Sequence, residues 1–337
     1  MPAEPRILRL CELVAGQQAD CFALLAAKER ALTRDGKPYY RATFRDKSRS
    51  AVTMIWSGGP WFTKCESEWR AGQFYKLRCT YSESAYGPQL ELERVREVQD
   101  ADRDSGFDPQ AFFEQSRFDV AELFQELVNL AETQIEDPAV RRLVVAILQE
   151  HESALMVLAA AVRNHHAFAG GWLEHVLSVA RTCVYLADKY LAYYPNTHPR
   201  LSKSLVVAGA ILHDIGKVVE LNSRATGSEF TAQGRLIGHI LLGRDMVREK
   251  ALRLGELDPE TLLRLEHVVA AHQDSPEWGS PVAPQTLEAL LVHYADDLDA
   301  KYHMMARALE AEPAPHEEFT SGDNPLKRRI FRGLKRS

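Results

Sequence analysis

The chain has 337 residues, 45% of them apolar and 26% charged, and a formal net charge of −6. At roughly 150 residues per domain this length suggests two domains, and the composition excludes a fibrous or wholly disordered protein. No apolar run approaches the roughly 18 residues that cross a bilayer, Met1–Arg6 lack a signal-peptide core, and five scattered cysteines form no C-x-x-C pair. The expectations are therefore no membrane partner, a cytoplasmic location and reduced thiols.

From about Arg6 to Val98 the sequence reads as β. An apolar run over Ala19–Ala31 ends at the turn signal Asp35-Gly36-Lys37-Pro38. In the strand expected over Tyr39–Phe44, Tyr40, Ala42 and Phe44 share one face and Tyr39, Arg41 and Thr43 the other. Further strands are expected over Ala51–Trp56, Gln73–Tyr81 and Gln89–Val98, the last two separated by a hairpin-like break at Ala85–Pro88. Such a set suits a small barrel, either OB-like or SH3-like. The net charge hides a basic stretch: Lys28–Arg49 holds eight Lys/Arg against three Asp/Glu. Tyr39, Arg41 and Arg45, opposite the core face, are the candidates for stacking bases and following phosphates, unless they only solvate the strand. Trp56, Trp61 and Phe62 are expected to pack.

Residues 1–99 thus form the expected nucleic-acid-binding domain, and the polar, acidic stretch from Asp100 opens an expected linker over 100–118. Amphipathic helices are expected over Val120–Glu132 and, after the start signal Asp137-Pro138, over Val140–Gln149. Helices then dominate to 310. Residues 311–337 hold an acidic, proline-containing segment and a tail whose last eleven residues carry six basic side chains and no acid. Three readings stand for that tail: a clamp on nucleic acid, a contact in a homo-oligomer, or a solvated end.

The chemistry concentrates in the helical region. Leu205–Leu212 is an apolar run that delivers His213-Asp214, followed by Ile215-Gly216-Lys217. Imidazole nitrogen and carboxylate oxygen side by side suit one divalent metal. Upstream stand His165-His166-Ala167-Phe168, Gly170-Gly171 and Glu174-His175. Downstream stand Gly234-Arg235-Leu236-Ile237-Gly238-His239, His272-Gln273, Gly279-Ser280-Pro281 with Pro284, and His293-Tyr294-Ala295-Asp296-Asp297-Leu298-Asp299-Ala300-Lys301.

The order His … His-Asp … Asp resembles the HD superfamily of metal-dependent phosphohydrolases. Together these motifs resemble, more narrowly, the YhaM-type 3′→5′ exoribonucleases, which place an OB domain ahead of an HD domain. The resemblance tips the barrel to OB and gives the fold class: an N-terminal all-β OB-like barrel, then an all-α HD domain over 119–310. It implies His175, His213, Asp214 and Asp296 as metal ligands, selecting Asp296 over Asp297 and Asp299. By the dinuclear relatives, His239 and His272 would hold a second ion bridged by Asp214. Gln273, where relatives commonly have a second histidine, leaves the count at one ion or two.

Lys217, four residues beyond His213, is the candidate to stabilise charge on a phosphate, against the plainer reading of an ion pair to Asp214 or Glu220. Asp214 and Lys217 are thus the catalytic candidates and Arg235 and His166 the substrate-binding ones; His165 beside His166 could also line the site, and either histidine reads equally as a core or capping residue. Mixed N/O ligands suit Mn²⁺, Co²⁺, Fe²⁺ or Zn²⁺, and the resemblance puts Mn²⁺ first. It also implies single-stranded RNA as partner, with single-stranded DNA as a second candidate, cut from the 3′ end to nucleoside 5′-monophosphates. Two rivals stand beside this: an HD phosphohydrolase of nucleotides or cyclic dinucleotides, and a non-catalytic RNA-binding protein, for which Gln273 is the only hint.

Overall fold

The protein is described by a computed structural model over residues 7–84, 87–162, 165–224, 227–310 and 317–334. Parts of several expectations lie outside these residues: Met1–Arg6, the tip of the break at Ala85 and Tyr86, the acidic segment over 311–316 and the end of the tail over 335–337. The chain divides into two compact units, Met1–Glu114 and Gln115–Ser337.

The first unit is a barrel. A short β1 (Ile7–Leu8) adds in parallel to β2 (Gln18–Leu32); β3 (Pro38–Arg45), β4 (Ser50–Trp56), α1 (Phe62–Ser67), β5 (Phe74–Ser84) and β6 (Gly87–Glu97) come next along the chain. The strand order β2-β3-β4-β6-β5 closes because β5 also pairs with β2. This is the Greek-key order of an OB-fold, with α1 between its third and fourth long strands and a parallel pairing of Val52 with Gln89. The long β2 serves both ends of the closure, Gln18–Leu24 pairing β5 and Leu24–Leu32 pairing β3, with a register shift between Leu25 and Ala27. The alternation in β3 holds: Tyr40, Ala42 and Phe44 are buried in a core with Leu25, Ile55, Trp69, Tyr75, Leu77 and Tyr81. All five cysteines are free thiols, with Cys21 and Cys79 facing each other across that core.

The stretch expected as a polar linker is folded onto the barrel over residues 100–113. Phe107, Phe112 and Phe113 pack with Phe22, Leu24 and Phe74 into a second apolar cluster. Asp102, within a 3₁₀ turn, accepts two hydrogen bonds of 2.6 Å from Arg96 and one of 2.9 Å from the Gln99 amide. Its carboxyl is held below the usual range, chiefly by Arg96. The acidic composition hid these aromatic anchors.

The second unit is helical: α2 (Val120–Gln134), α3 (Pro138–Glu150), α4 (Glu152–Leu155), α5 (Gly171–Tyr193), α6 (Lys203–Leu212), α7 (Lys217–Glu220), a hairpin of β7 (Leu221–Arg224) and β8 (Gly227–Phe230), then α8 (Ala232–Ile237), α9 (His239–Leu254), α10 (Pro259–Ala271) and α11 (Leu287–Glu310). Asp119, Asp137 and Asp258 cap α2, α3 and α10 by accepting from the first free amides. Ser204–Leu212 are all buried, so α6 is the central helix, packed by α2, α3, α5, α10 and α11. An all-round apolar helix can occupy no other place, and its C-terminal end sets the position of His213 and Asp214.

Among the described residues no helix is long and apolar enough to cross a membrane.

Candidate metal centre

His213 stands at the C-terminal end of α6 with Asp214 next to it, both buried. Four other elements bring further ligand-type side chains to this point: His175 from the first turns of α5, His239 from the start of α9, His272 from the end of α10 and Asp296 from α11. Gly216 permits the approach of α9. A Cβ there would stand 2.5 Å from the Gly243 nitrogen and nearer still to the His239 carbonyl oxygen. Gly171 does the same at the start of α5, where its Cβ position collides with the His166 carbonyl.

The geometry divides around the Asp214 carboxylate. Asp214 Oδ2 lies 3.5 Å from His213 Nε2 and 3.9 Å from His175 Nε2. Asp296 Oδ1 completes this lobe at 3.1 Å from His175 Nε2 and 3.8 Å from His213 Nε2. On the other side Asp214 Oδ1 faces His239 Nε2 at 3.3 Å and His272 Nε2 at 3.7 Å. All four Nε2 atoms and Asp214 Oδ1 are buried without a hydrogen-bond partner. Buried polar atoms are seldom left so, and their convergence is what a cation would satisfy.

Each imidazole is also turned to offer Nε2. His213 Nδ1 donates to the Ala210 carbonyl and His272 Nδ1 to the Val269 carbonyl, both at 2.8 Å. His175 Nδ1 meets Asp299 Oδ2 at 2.8 Å, and His239 Nδ1 meets Glu220 Oε1 at 3.1 Å. Acceptors at Nδ1 fix the tautomer that leaves the Nε2 lone pair inward, as metal-ligating histidines require. The donor set of imidazoles and carboxylates therefore fits a divalent transition metal, with His175, His213 and Asp296 in one close group and His213, Asp214 and His272 in another.

Charge follows the same plan. Burial alone would raise the Asp214 carboxyl, but Lys217 and His213 overcome it and hold it well below its ordinary value. Burial opposes a charge on His175, yet the Asp296 and Asp299 carboxylates beside it outweigh it and raise that ring to about 9, so a cation held at Nε2 would displace a proton from it. Lys217 is buried and donates to Asp214 Oδ2 and to the Ala160 carbonyl, so its ammonium is an internal partner of Asp214. The pairing with Asp214 was one of its two plainer readings; the other candidate, Glu220, is taken by His239.

The three aspartates of α11 separate cleanly: Asp296 enters the cluster, Asp297 pairs with Lys301 at 2.8 Å, and Asp299 holds His175 and Ser178. The Gln273 backbone amide donates to Ser280 Oγ at the root of the following turn, and its side-chain oxygen lies 3.8 Å from where a Cβ on Gly279 would stand. The two expected substrate contacts differ in their surroundings. Arg235 is exposed, over the Phe230 ring at 5.6 Å. His166 is buried with its ring centre 5.6 Å from that of His175, stacked on His303 with ring centres 3.8 Å apart, and 4.0 Å from Asp299, with which it and His175 form a further close group of ligand-type side chains. Its neighbour His165 also approaches His175, with ring centres 5.0 Å apart. Burial, with the positive charges of His175 and Lys217, lowers it to about 3. Sequence reasoning passed over Asp299 and Glu220 as orienting groups, since carboxylates at such places more often cap helices or pair with lysine.

On the barrel, Tyr39 and Trp56 are cross-strand partners with ring centres 5.1 Å apart. Trp56 is 51% exposed, contrary to the packing role expected for it. Arg41 is exposed, 4.0 Å from Glu29. Arg45 is tied down: it donates to the Phe112 carbonyl at 3.2 Å and lies over the Phe113 ring. The folded 100–113 segment, invisible as such in the sequence, takes it off the open face.

Residues 172–301 match the family model described as HD domain. That match begins at the first turn of α5 and ends within α11, so it contains His175, His213, Asp214, His239, His272 and Asp296. Among solved structures, the solution structure of the second OB-fold domain of replication protein A from Methanococcus maripaludis is similar at 13% identity over 28% of this chain and 95% of that one, with a TM-score of 0.22. A crystal structure of a replication protein A domain from the same organism is similar at 10% identity over 28% and 96%, with a TM-score of 0.23. At these scores the barrel is assigned by its strand order, not by likeness.

Proposed function

We propose that this chain is a metal-dependent 3′→5′ exoribonuclease that hydrolyses single-stranded RNA, and by the same chemistry single-stranded DNA, to nucleoside 5′-monophosphates. The observation that carries it is the Asp214 carboxylate set between two groups of unpartnered imidazole nitrogens in a chain that also bears an OB-fold. His175, His213, Asp214 and Asp296 would hold one ion; His239 and His272, with the other oxygen of Asp214, would hold a second. Mn²⁺ is the ion proposed first, and a metal so held supplies a water of lowered pKa and a polarised phosphoryl oxygen.

The chain's own groups do the rest. Asp299 and Glu220 hold His175 and His239 in the ligating orientation. Lys217 keeps Asp214 ionised and placed. His165, at the edge of the cluster, is the better candidate than His166 to donate a hydrogen bond to a phosphate oxygen. On the barrel, the exposed Trp56 with the half-buried Tyr39 beside it offers a stacking surface and Arg41 a phosphate partner, which favours an oligonucleotide over a mononucleotide as substrate. Arg45 is assigned to structure.

The test is 5′-labelled single-stranded RNA with metal-stripped protein, Mn²⁺ added back, and Asp214→Ala as control. Products shortening stepwise from the 3′ end, absent in the variant, are expected. RNA bound but uncut under every metal would overturn the enzymatic reading; RNA neither bound nor cut would redirect it to nucleotides and cyclic dinucleotides.

A further inference from the structure

Trp278 sits in a turn that begins directly after His272, and it is 67% exposed. The turn is tightly built. The Trp278 amide donates to the Ser275 carbonyl at 3.0 Å, Gly279 to Pro276 at 3.1 Å and Ser280 to Ser275 at 3.2 Å. Ser280, fully buried, accepts from the Gln273 amide and closes the base. Gly279 adopts a φ of 106°. A Cβ built on it would stand 3.5 Å from Ile240 Cδ1. Ile240 is the neighbour of His239 in the chain. The turn that carries Trp278 therefore lies against the segment that carries His239, and its base is bonded to the segment that carries His272, the two histidines that face Asp214 Oδ1. Leu236, Ile237 and Leu241, which flank His239 in sequence, are exposed as well.

A large aromatic surface left open on a rigid turn calls for a planar, apolar occupant. Resting on the nuclease reading above, we propose that Trp278 stacks on a nucleobase of the strand being cut and positions its phosphodiester at the metal centre. Because the turn adjoins the segments that bring His239 and His272 to Asp214, a phosphodiester engaged there would carry its attached nucleosides toward it, and the base is their only aromatic face. Stacking of this kind accepts every base, which suits an enzyme that must advance along any sequence. Trp278 is thus a specificity residue for single-stranded nucleic acid, distinct from the Tyr39–Trp56 pair on the barrel.

The test uses the full chain and two readouts. In the metal-stripped protein, an oligouridylate should quench tryptophan fluorescence. Trp278→Ala should lose part of that quench and bind the oligouridylate more weakly, whereas Trp278→Phe should lose the same indole signal and keep its affinity. With Mn²⁺ restored, Trp278→Ala should raise KM for single-stranded RNA on the order of tenfold, with kcat little changed and Trp278→Phe close to wild type. An RNA whose 3′-terminal nucleotides are abasic should erase the difference between wild type and Trp278→Ala. Unchanged quench and KM in Trp278→Ala overturn the proposal. An equal loss on the abasic strand, or altered Mn²⁺ stoichiometry, overturns it in favour of a structural role or a protein-facing surface. If wild type cuts no RNA, the nuclease reading fails by itself, and the quench still decides for or against base stacking at Trp278.

Discussion

Two buried aspartates show how differently the two units use charge. Asp102, on the barrel side, has its carboxylate filled by Arg96 and the Gln99 amide. Asp214, in the helical unit, has Lys217 on one oxygen and four imidazole nitrogens around it that lack partners. The contrast is general: among the described residues, every buried side-chain nitrogen or oxygen without a partner lies in the helical unit. Satisfied buried charge fixes a fold, whereas convergent unsatisfied atoms mark a place kept for a ligand.

The sharpest way to break this comparison is Asp214→Ala, which removes the one carboxylate common to both lobes. Phosphodiester hydrolysis should fall on the order of 1000-fold or more, and Mn²⁺ binding measured by calorimetry should be lost; retained turnover would place the chemistry elsewhere. Asp299→Ala spares every inward-facing atom but releases His175. Mn²⁺ affinity should drop by roughly 10- to 100-fold with the fold intact, and an unchanged affinity would show that Asp299 does not orient the ring.

The opposite behaviour is expected of Asp102→Asn. It should destabilise the barrel by about 1–3 kcal/mol in denaturant unfolding and leave Mn²⁺ binding untouched. Since the folded-state carboxyl is held below its unfolded value, the stability it contributes is present above about pH 4 and is lost as pH falls through the folded value. The variant should therefore lose the acid-side dependence that the wild type shows. A smaller effect separates the two arginines of β3. Arg41→Ala should weaken RNA binding by about 1 kcal/mol or less, visible as a shallower salt dependence, while Arg45→Ala should lower thermal stability first.

Much of this was legible in the sequence for identifiable reasons. The period-two burial of β3 is a direct consequence of strand geometry, so Tyr40, Ala42 and Phe44 could be placed without coordinates. His213-Asp214 at the end of a wholly apolar run could belong only to a buried helix end. What could not be read depends on contacts distant in sequence. Phe107, Phe112 and Phe113 sit in acidic, loop-like composition, and only their docking on Phe74 shows that the stretch is structural. That docking also separates Arg45 from Arg41, which share a strand face. Asp296, Asp297 and Asp299 are chemically alike, and helix phase within α11 decides which enters the cluster.

The central claim is that the atoms around Asp214 form a metal centre with the carboxylate shared between two positions. The measurement that tests it most directly is anomalous diffraction from crystals of the full chain grown with Mn²⁺. The account predicts two peaks flanking the Asp214 carboxylate, one bounded by His175, His213 and Asp296 and the other by His239 and His272. No peak at either position, with the histidines still turned inward on Asp214 and Lys217, would contradict it.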